Sequence, residues 1–264
     1  MRLVTKENTD PSQWTWGKLI DNIGPVTAAV SKLQNFKAGN EALWLYFGTG
    51  RFYYKIVDTL DDPDSQRRIY GIKDPCYNND TTNFPFKLDP SCVDSSSSSA
   101  SVSEGSLDDA TSAGLSSPDS WKIDLDGCTT SSGSAVSCAD PTAAFKTERL
   151  ITAPTGTTIG AVFFTTIKPS TDVCEFGGVS HLWAVKYDTG GSVKKGLLKG
   201  VALVQVSTGS IEEKKLSEAF TEKVDSSTGD GRRTDAIPGQ TTEGGALIPV
   251  PPKPINRILH IRER

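Results

Sequence analysis

Three kinds of chemistry are open to this chain on residue type and spacing: a phosphate cradle at a glycine turn, a cation site among acids, and acid–base work at histidines or carboxylate pairs. The run LWLYFGTGRFYYK, Leu43 to Lys55, ends an apolar stretch in Gly48-Thr49-Gly50. A Gly-x-Gly after a strand offers backbone N–H groups to a phosphate when a helix follows and adds its dipole. Here Tyr53 stands where a dinucleotide fingerprint needs its third glycine, and RFYYKIV is aromatic and β-branched rather than helical. The Gly-Lys-Ser/Thr of a Walker loop is missing too. Gly48 and Gly50 therefore read as a strand-ending turn that needs positive φ, with Arg51 at its corner.

The best calcium candidates are Asp62 and Asp64, in Asp62-Pro63-Asp64-Ser65-Gln66. A calcium loop of the EF-hand kind alternates oxygen ligands and needs a glycine midway and a glutamate at its end. This loop has Arg67 and Lys73 at those two places, so a solvated acidic loop is the competing reading. Asp124-Leu125-Asp126-Gly127 matches no better. The only histidines, His181 and His260, read as ordinary strand positions. The carboxylate pairs Asp61/Asp62, Asp108/Asp109 and Glu212/Glu213 fall in loops or on an exposed helix face. A pair must be buried to split its pKa values, and nothing in the pattern suggests burial. No G-x-S-x-G elbow occurs. The residue inventory points to a protein that is not an enzyme.

The elements that would position these residues are mostly strands. PVTAAVSKLQ alternates apolar and polar. EALWLYFGTG is apolar throughout, as for a strand covered on both faces. SWKIDLDG puts Trp121, Ile123 and Leu125 on one side and Lys122, Asp124 and Asp126 on the other. RRIYGIKD, RLITAP, GAVFFTTIKP, HLWAVKYDTGG and GVALVQVSTGS follow the same grammar, cut by turn residues. The one helical pattern is Ile211 to Lys223, where Leu216, Ala219, Phe220 and Lys223 share a face. Residues 78–120 are Ser-rich and low in aromatics, and read as a flexible surface insertion. Residues 225–254 are Gly- and Pro-rich and read as irregular, ahead of a last strand in INRILHIRER. Leu-Trp recurs in strands that end at Gly-containing turns, which suits a radial, all-β architecture such as a β-propeller. At roughly 40–50 residues per blade the chain holds about three to five blades, the content of a fragment.

The 264 residues carry a net charge of -4, against the basic face of a nucleic-acid binder. No run approaches the ~18 apolar residues of a membrane-crossing helix. The opening MRLVTKENTDPSQW lacks the apolar core of a secretory leader. Among five cysteines, Cys76 and Cys92 bracket one polar loop, and Cys128 and Cys138 another. Two loop-closing disulfides suit an exported protein; free thiols in a cytosolic one are the alternative. Cys174 is left over, buried or paired outside this chain. An exported-looking composition without a leader suggests a piece of a longer secreted protein.

Several stretches together resemble the C-terminal β-propeller of the PilY1/PilC family of type IV pilus biogenesis factors and tip-associated adhesins. They are WLYFGTGRFYYK, IYGIKDPC, CEFGGVSHLWAVKYDTGG, VQVSTGSIEE and the ending KPINRILHIRER. The signature positions are Gly48, Gly50, Arg51, Gly71 and Trp183. The resemblance implies a non-enzymatic protein at the pilus tip or outer surface, reached through the periplasm. Pilins or minor pilins and a host or abiotic surface would be its partners, with calcium a cofactor of some members. Two other readings are a fragment of a quinoprotein-type propeller dehydrogenase and a surface β domain with no pilus role.

Overall fold

Two long antiparallel strands, Ala161–Pro169 and Gly178–Lys186, form the spine of the protein. The computed structural model describes residues 1–5, 8–35, 41–51, 64–78, 87–93, 101–172, 177–206, 209–222, 231–239 and 246–249. β1 (Arg2–Val4) and β2 (Thr15–Gly17) pair at the N-terminus. β3 (Ser31–Asn35), β4 (Ala42–Gly48) and β5 (Arg68–Lys73) follow. The two-residue strands β6 (Tyr77–Asn78) and β7 (Lys87–Leu88) pair with each other and lead to a single helical turn, α1 (Pro90–Val93). β8 (Asp108–Asp109) and β9 (Trp121–Asp124) complete a five-stranded sheet in the order β3-β4-β5-β9-β8.

A second sheet is built on the spine. It contains β10 (Arg149–Leu150), β11 (Thr155–Gly156), β12 (Ala161–Pro169) and β13 (Gly178–Lys186). β14 (Gly200–Gln205) and β15 (Ile211–Lys215) form a hairpin outside it. β16 (Phe220–Glu222), β17 (Arg233–Thr234) and β18 (Ile237–Pro238) return to it, making seven strands. β19 (Ala246–Pro249) closes a three-stranded sheet, β15-β14-β19. The protein is mostly β with one short helix, and no closed or radial sheet arrangement forms among the described residues. No helix among them is long and apolar enough to cross a membrane.

The two larger sheets share one core. Trp44, Tyr46, Ile69, Trp121 and Ile123 from the first meet Leu150, Val162, Phe164, Trp183 and Val185 from the second. Alternation along β4 sends Phe47 and Leu45 the other way, into a cluster with Tyr70, Ile72, Leu19 and Leu107. The apolar run of β4 is thus covered on both faces, as its composition requires. Gly71 is glycine because the Trp121 ring fills its side-chain space: a Cβ would lie 2.2 Å from Trp121 Cε2. Gly50 has φ of 145°, with Arg149 packed against it, and Gly48 lies under Leu150. The expected turn at Gly48-Thr49-Gly50 does not form: Gly48 ends β4 without a positive φ, and Gly50, which has one, bridges Val26 in parallel; residues 52–63 lie outside the described residues.

Three further sequence expectations change. The helix expected over Ile211 to Lys223 is instead β15, a turn, and the start of β16. Its apolar spacing survives, since Leu216 and Phe220 are buried in one cluster with Phe163. The β14 ladder and the turn at Gly209, φ 83°, prevail over the helical period because they satisfy every second backbone group of a short segment. The Ser-rich stretch 78–120 is no uniform surface insertion, for Val93, Leu107 and Ala110 are buried and β8 joins the sheet. Its few apolar residues suffice because the Arg232 guanidinium donates to the carbonyls of Ala110 (2.6 Å), Thr111 (2.6 Å) and Gly190 (2.7 Å). Within 225–254, read as irregular, the described residues form β17, β18 and β19. The final INRILHIRER and Cys174 lie outside the described residues.

Both expected disulfides are present, Cys76–Cys92 and Cys128–Cys138, closing sequence separations of 16 and 10. Such bridges belong to an oxidising compartment. Replacing Cys128 and Cys138 together by serine is expected to cost about 2–3 kcal/mol through the freed loop entropy of the unfolded chain. Thermal unfolding of the variant against wild type checks it; an unchanged midpoint would show that the loop is held by its other contacts.

Candidate functional site

One end of the shared core turns from apolar to ionic. Period-two alternation puts Val162, Phe164, Thr166 and Lys168 on one face of β12. Across the ladder Phe164 faces Trp183 and Thr166 faces His181. β17 then sets Arg233 opposite Trp183, with its guanidinium carbon 5.3 Å from the indole centroid. Glu148, the residue before β10, lies at the centre with no exposed surface.

The Glu148 carboxylate is saturated. Oε2 accepts from Arg233 Nη1 (2.8 Å) and from the backbone N–H of Asp126 (3.3 Å). Oε1 accepts from Trp183 Nε1 (3.0 Å) and from the Thr166 hydroxyl. Arg233 Nη1 also donates to Asp126 Oδ2 at 2.9 Å, and Lys168 Nζ stands 3.5 Å from the same oxygen. His181 Nδ1 lies 3.0 Å from the Thr234 carbonyl. Burial by itself pushes the Glu148 carboxyl up, but the Arg233 charge, His181, the Thr166 hydroxyl and Lys168 outweigh it, so it is held below its ordinary range. An ion so fixed is a poor proton shuttle. What it does is tie the end of β9, β10, β12, β13 and β17 into one clasp between the two sheets.

The sequence reading missed this cluster: a buried, ion-paired carboxylate does occur, at Glu148 rather than at any of the acid pairs named above. The signal was absent locally, because Arg233 is 85 residues from Glu148 and 107 from Asp126. The only hint is a Glu abutting an apolar strand, and the paired Arg232-Arg233. Of the signature residues, Trp183 enters the clasp, Gly48 and Gly71 pack in the core, and Arg51 is exposed, its carbonyl accepting from Arg149 Nη1 at 3.3 Å.

Asp62 lies outside the described residues. Asp64 sits against the Cys128–Cys138 bridge, its carboxylate within 4.8 Å of both sulfurs, and pairs with Lys146 at 3.4 Å. Calcium takes about six to eight oxygen ligands. Two bridged sulfurs and an ammonium beside Asp64 do not fit it.

A second concave feature lies beside the N-terminal hairpin. A groove of about 490 Å³ is lined by Leu19, Ile20, Ile23, Val26, Val30, Leu45 and Phe47, with Arg2, Asp21 and Lys32 also at its walls. Nearby Leu3 and Trp16 are more than half exposed, at 52% and 57%. Monomeric proteins seldom leave large apolar side chains grouped in water without use for them.

Fold and clasp define the class: a disulfide-braced, mostly β protein whose two main sheets are locked by a buried ion network. Comparison with protein-family profiles, with curated proteins and with solved structures finds no match for this chain.

Proposed function

We propose that this chain is a non-enzymatic binding piece of a PilY1/PilC-like pilus protein, acting in type IV pilus assembly, retraction control and surface adhesion. The stretches around Gly48, Gly71 and Trp183 supply the pilus link through their resemblance. The observation that carries the binding role is the apolar groove, with Leu3 and Trp16 exposed on the hairpin whose Met1 and Arg2 line it. Apolar side chains of a pilin or minor pilin would enter it, and loops at the sheet ends would meet a host or mineral surface. Disulfides agree with a site outside the reducing cytoplasm. In this reading the sheets belong to blades of a propeller that a longer protein completes.

The test is complementation of a deletion strain. Val30→Asp and Trp16→Ser should abolish piliation or surface attachment while leaving the unfolding midpoint within a few degrees. Normal piliation, twitching and attachment in the deletion strain itself would sink the pilus reading. A large quinone-dependent rise in the melting temperature would favour the dehydrogenase fragment instead.

A further inference from the structure

The two disulfides of this chain carry opposite electrostatic dressing. At Cys76–Cys92, Arg2 Nη2 donates to Cys76 Sγ at 2.9 Å. Arg2 is held there by Asp74, whose carboxylate takes the other guanidinium nitrogen and also accepts the Cys76 N–H at 2.8 Å. The side chains of Arg2 and Asp74 are 7% and 0% exposed, so this cation is fixed beside the sulfur and little screened by water. At Cys128–Cys138 the nearby groups are the Thr147 hydroxyl, 3.7 and 3.6 Å from the two sulfurs, and the Asp64 carboxylate, part of whose charge Lys146 offsets at 3.4 Å. A thiolate is favoured beside a guanidinium and disfavoured beside a carboxylate.

Access differs within the first bridge. Cys76 is 2% exposed, whereas Cys92 is half-buried next to exposed Ser91. An incoming nucleophile meets Cys92, and Cys76 becomes the leaving group.

We propose that Cys76–Cys92 is a thiol-exchange site whose co-reactant is a dithiol or a partner protein's cysteine pair. A thiolate of that pair attacks Cys92 Sγ and forms a new S–S bond. The Cys76–Cys92 bond breaks, and its electron pair leaves on Cys76 Sγ as a thiolate held by Arg2. The second thiolate of the pair then displaces Cys92, so the dithiol leaves oxidised and both cysteines are left reduced. Asp74 offsets part of the Arg2 charge, but it spends one guanidinium nitrogen and leaves the other directed at sulfur. Opening the bridge unties α1 from the Cys76 segment and leaves it held to the N-terminal hairpin by packing, where the Val93 carbonyl fills the space above Gly17. Arg2 and Met1 also line the apolar groove, so exchange reaches the surface assigned to binding.

The experiment is timed dithiothreitol treatment of the native chain, alkylation, and peptide mass spectrometry of each cysteine. Label is expected at Cys76 and Cys92 about tenfold faster than at Cys128 and Cys138, because a lower leaving-group pKa speeds exchange. Arg2→Gln should slow opening of the first bridge by about threefold or more, and Arg2→Lys should restore much of it. A variant that merely loosened the hairpin would accelerate opening. Asp64→Asn, at an exposed side chain, should speed the second bridge alone, and does not depend on Arg2 variants folding. In denaturant the two bridges should open at matching rates. Equal native rates, earlier opening of Cys128–Cys138, a difference that persists in denaturant, or an Arg2→Gln rate that is unchanged or raised would each overturn the proposal. Piliation assays are not involved, so this outcome is independent of the pilus reading.

Discussion

Glu148→Ala is expected to lose about 3–5 kcal/mol, a large share of a typical ~5–15 kcal/mol domain stability. The loss does not measure the worth of the ion pair. It is mostly the penalty of leaving Arg233, 4% exposed, and the Trp183 N–H without their shared acceptor. Glu148→Gln keeps the shape but loses the charge and turns one acceptor oxygen into an NH2 group that faces donors such as the Trp183 N–H, so it should lose less, about 1.5–3 kcal/mol. The sign with pH follows from the direction of the shift. The folded carboxyl lies below its ordinary 4.5, so its contribution is present above that value and is lost as pH falls through the folded value. Urea unfolding at pH 7 and pH 3 checks this: wild type should weaken at low pH, and Glu148→Gln should show a smaller pH-dependent loss. A Glu148→Ala variant with near wild-type stability would mean that the clasp is water-filled or rearranges freely.

The second large effect is at the Gly71–Trp121 contact. Trp121→Ala should cost about 3–5 kcal/mol, as for other fully buried large aromatics. Gly71→Ala alone should cost about 3 kcal/mol, near the top of the overpacking range. Trp121 cannot step aside, since Tyr46 and Phe164 flank it and its Nε1 donates to the Tyr187 carbonyl at 3.2 Å. In the Trp121→Ala background the same Gly71→Ala change should cost well under 1 kcal/mol, because the atom it strikes is gone. Denaturant unfolding of the four-member cycle reads the coupling. Additive losses would place the strain in the Gly71 backbone rather than in the ring.

Strand content was legible because alternation and turn residues act over only a few positions. SWKIDLDG alternates on the page, and Trp121, Ile123 and Leu125 are the buried set. The bracketing of polar loops by Cys76/Cys92 and Cys128/Cys138 was legible for the same reason, since each closure is short. The helix at Ile211 misled because Leu216 and Phe220 satisfy a helical period and a strand–turn–strand equally well. The neighbouring β14 decided between them. The Ser-rich stretch misled because composition counts apolar residues but not a distant arginine, Arg232, that binds two of its carbonyls, those of Ala110 and Thr111, together with that of Gly190.

What the amino-acid sequence determines by itself is the local grammar: short strands, glycine positions, cysteines that bracket loops, a mildly acidic charge balance. Tertiary structure alone decides the clasp and the bridge dressings. Glu148 meets Arg233, and Arg2 meets Cys76, across 85 and 74 residues respectively. A residue's charge is local, but its pairing and desolvation depend on which strands the whole chain lays side by side.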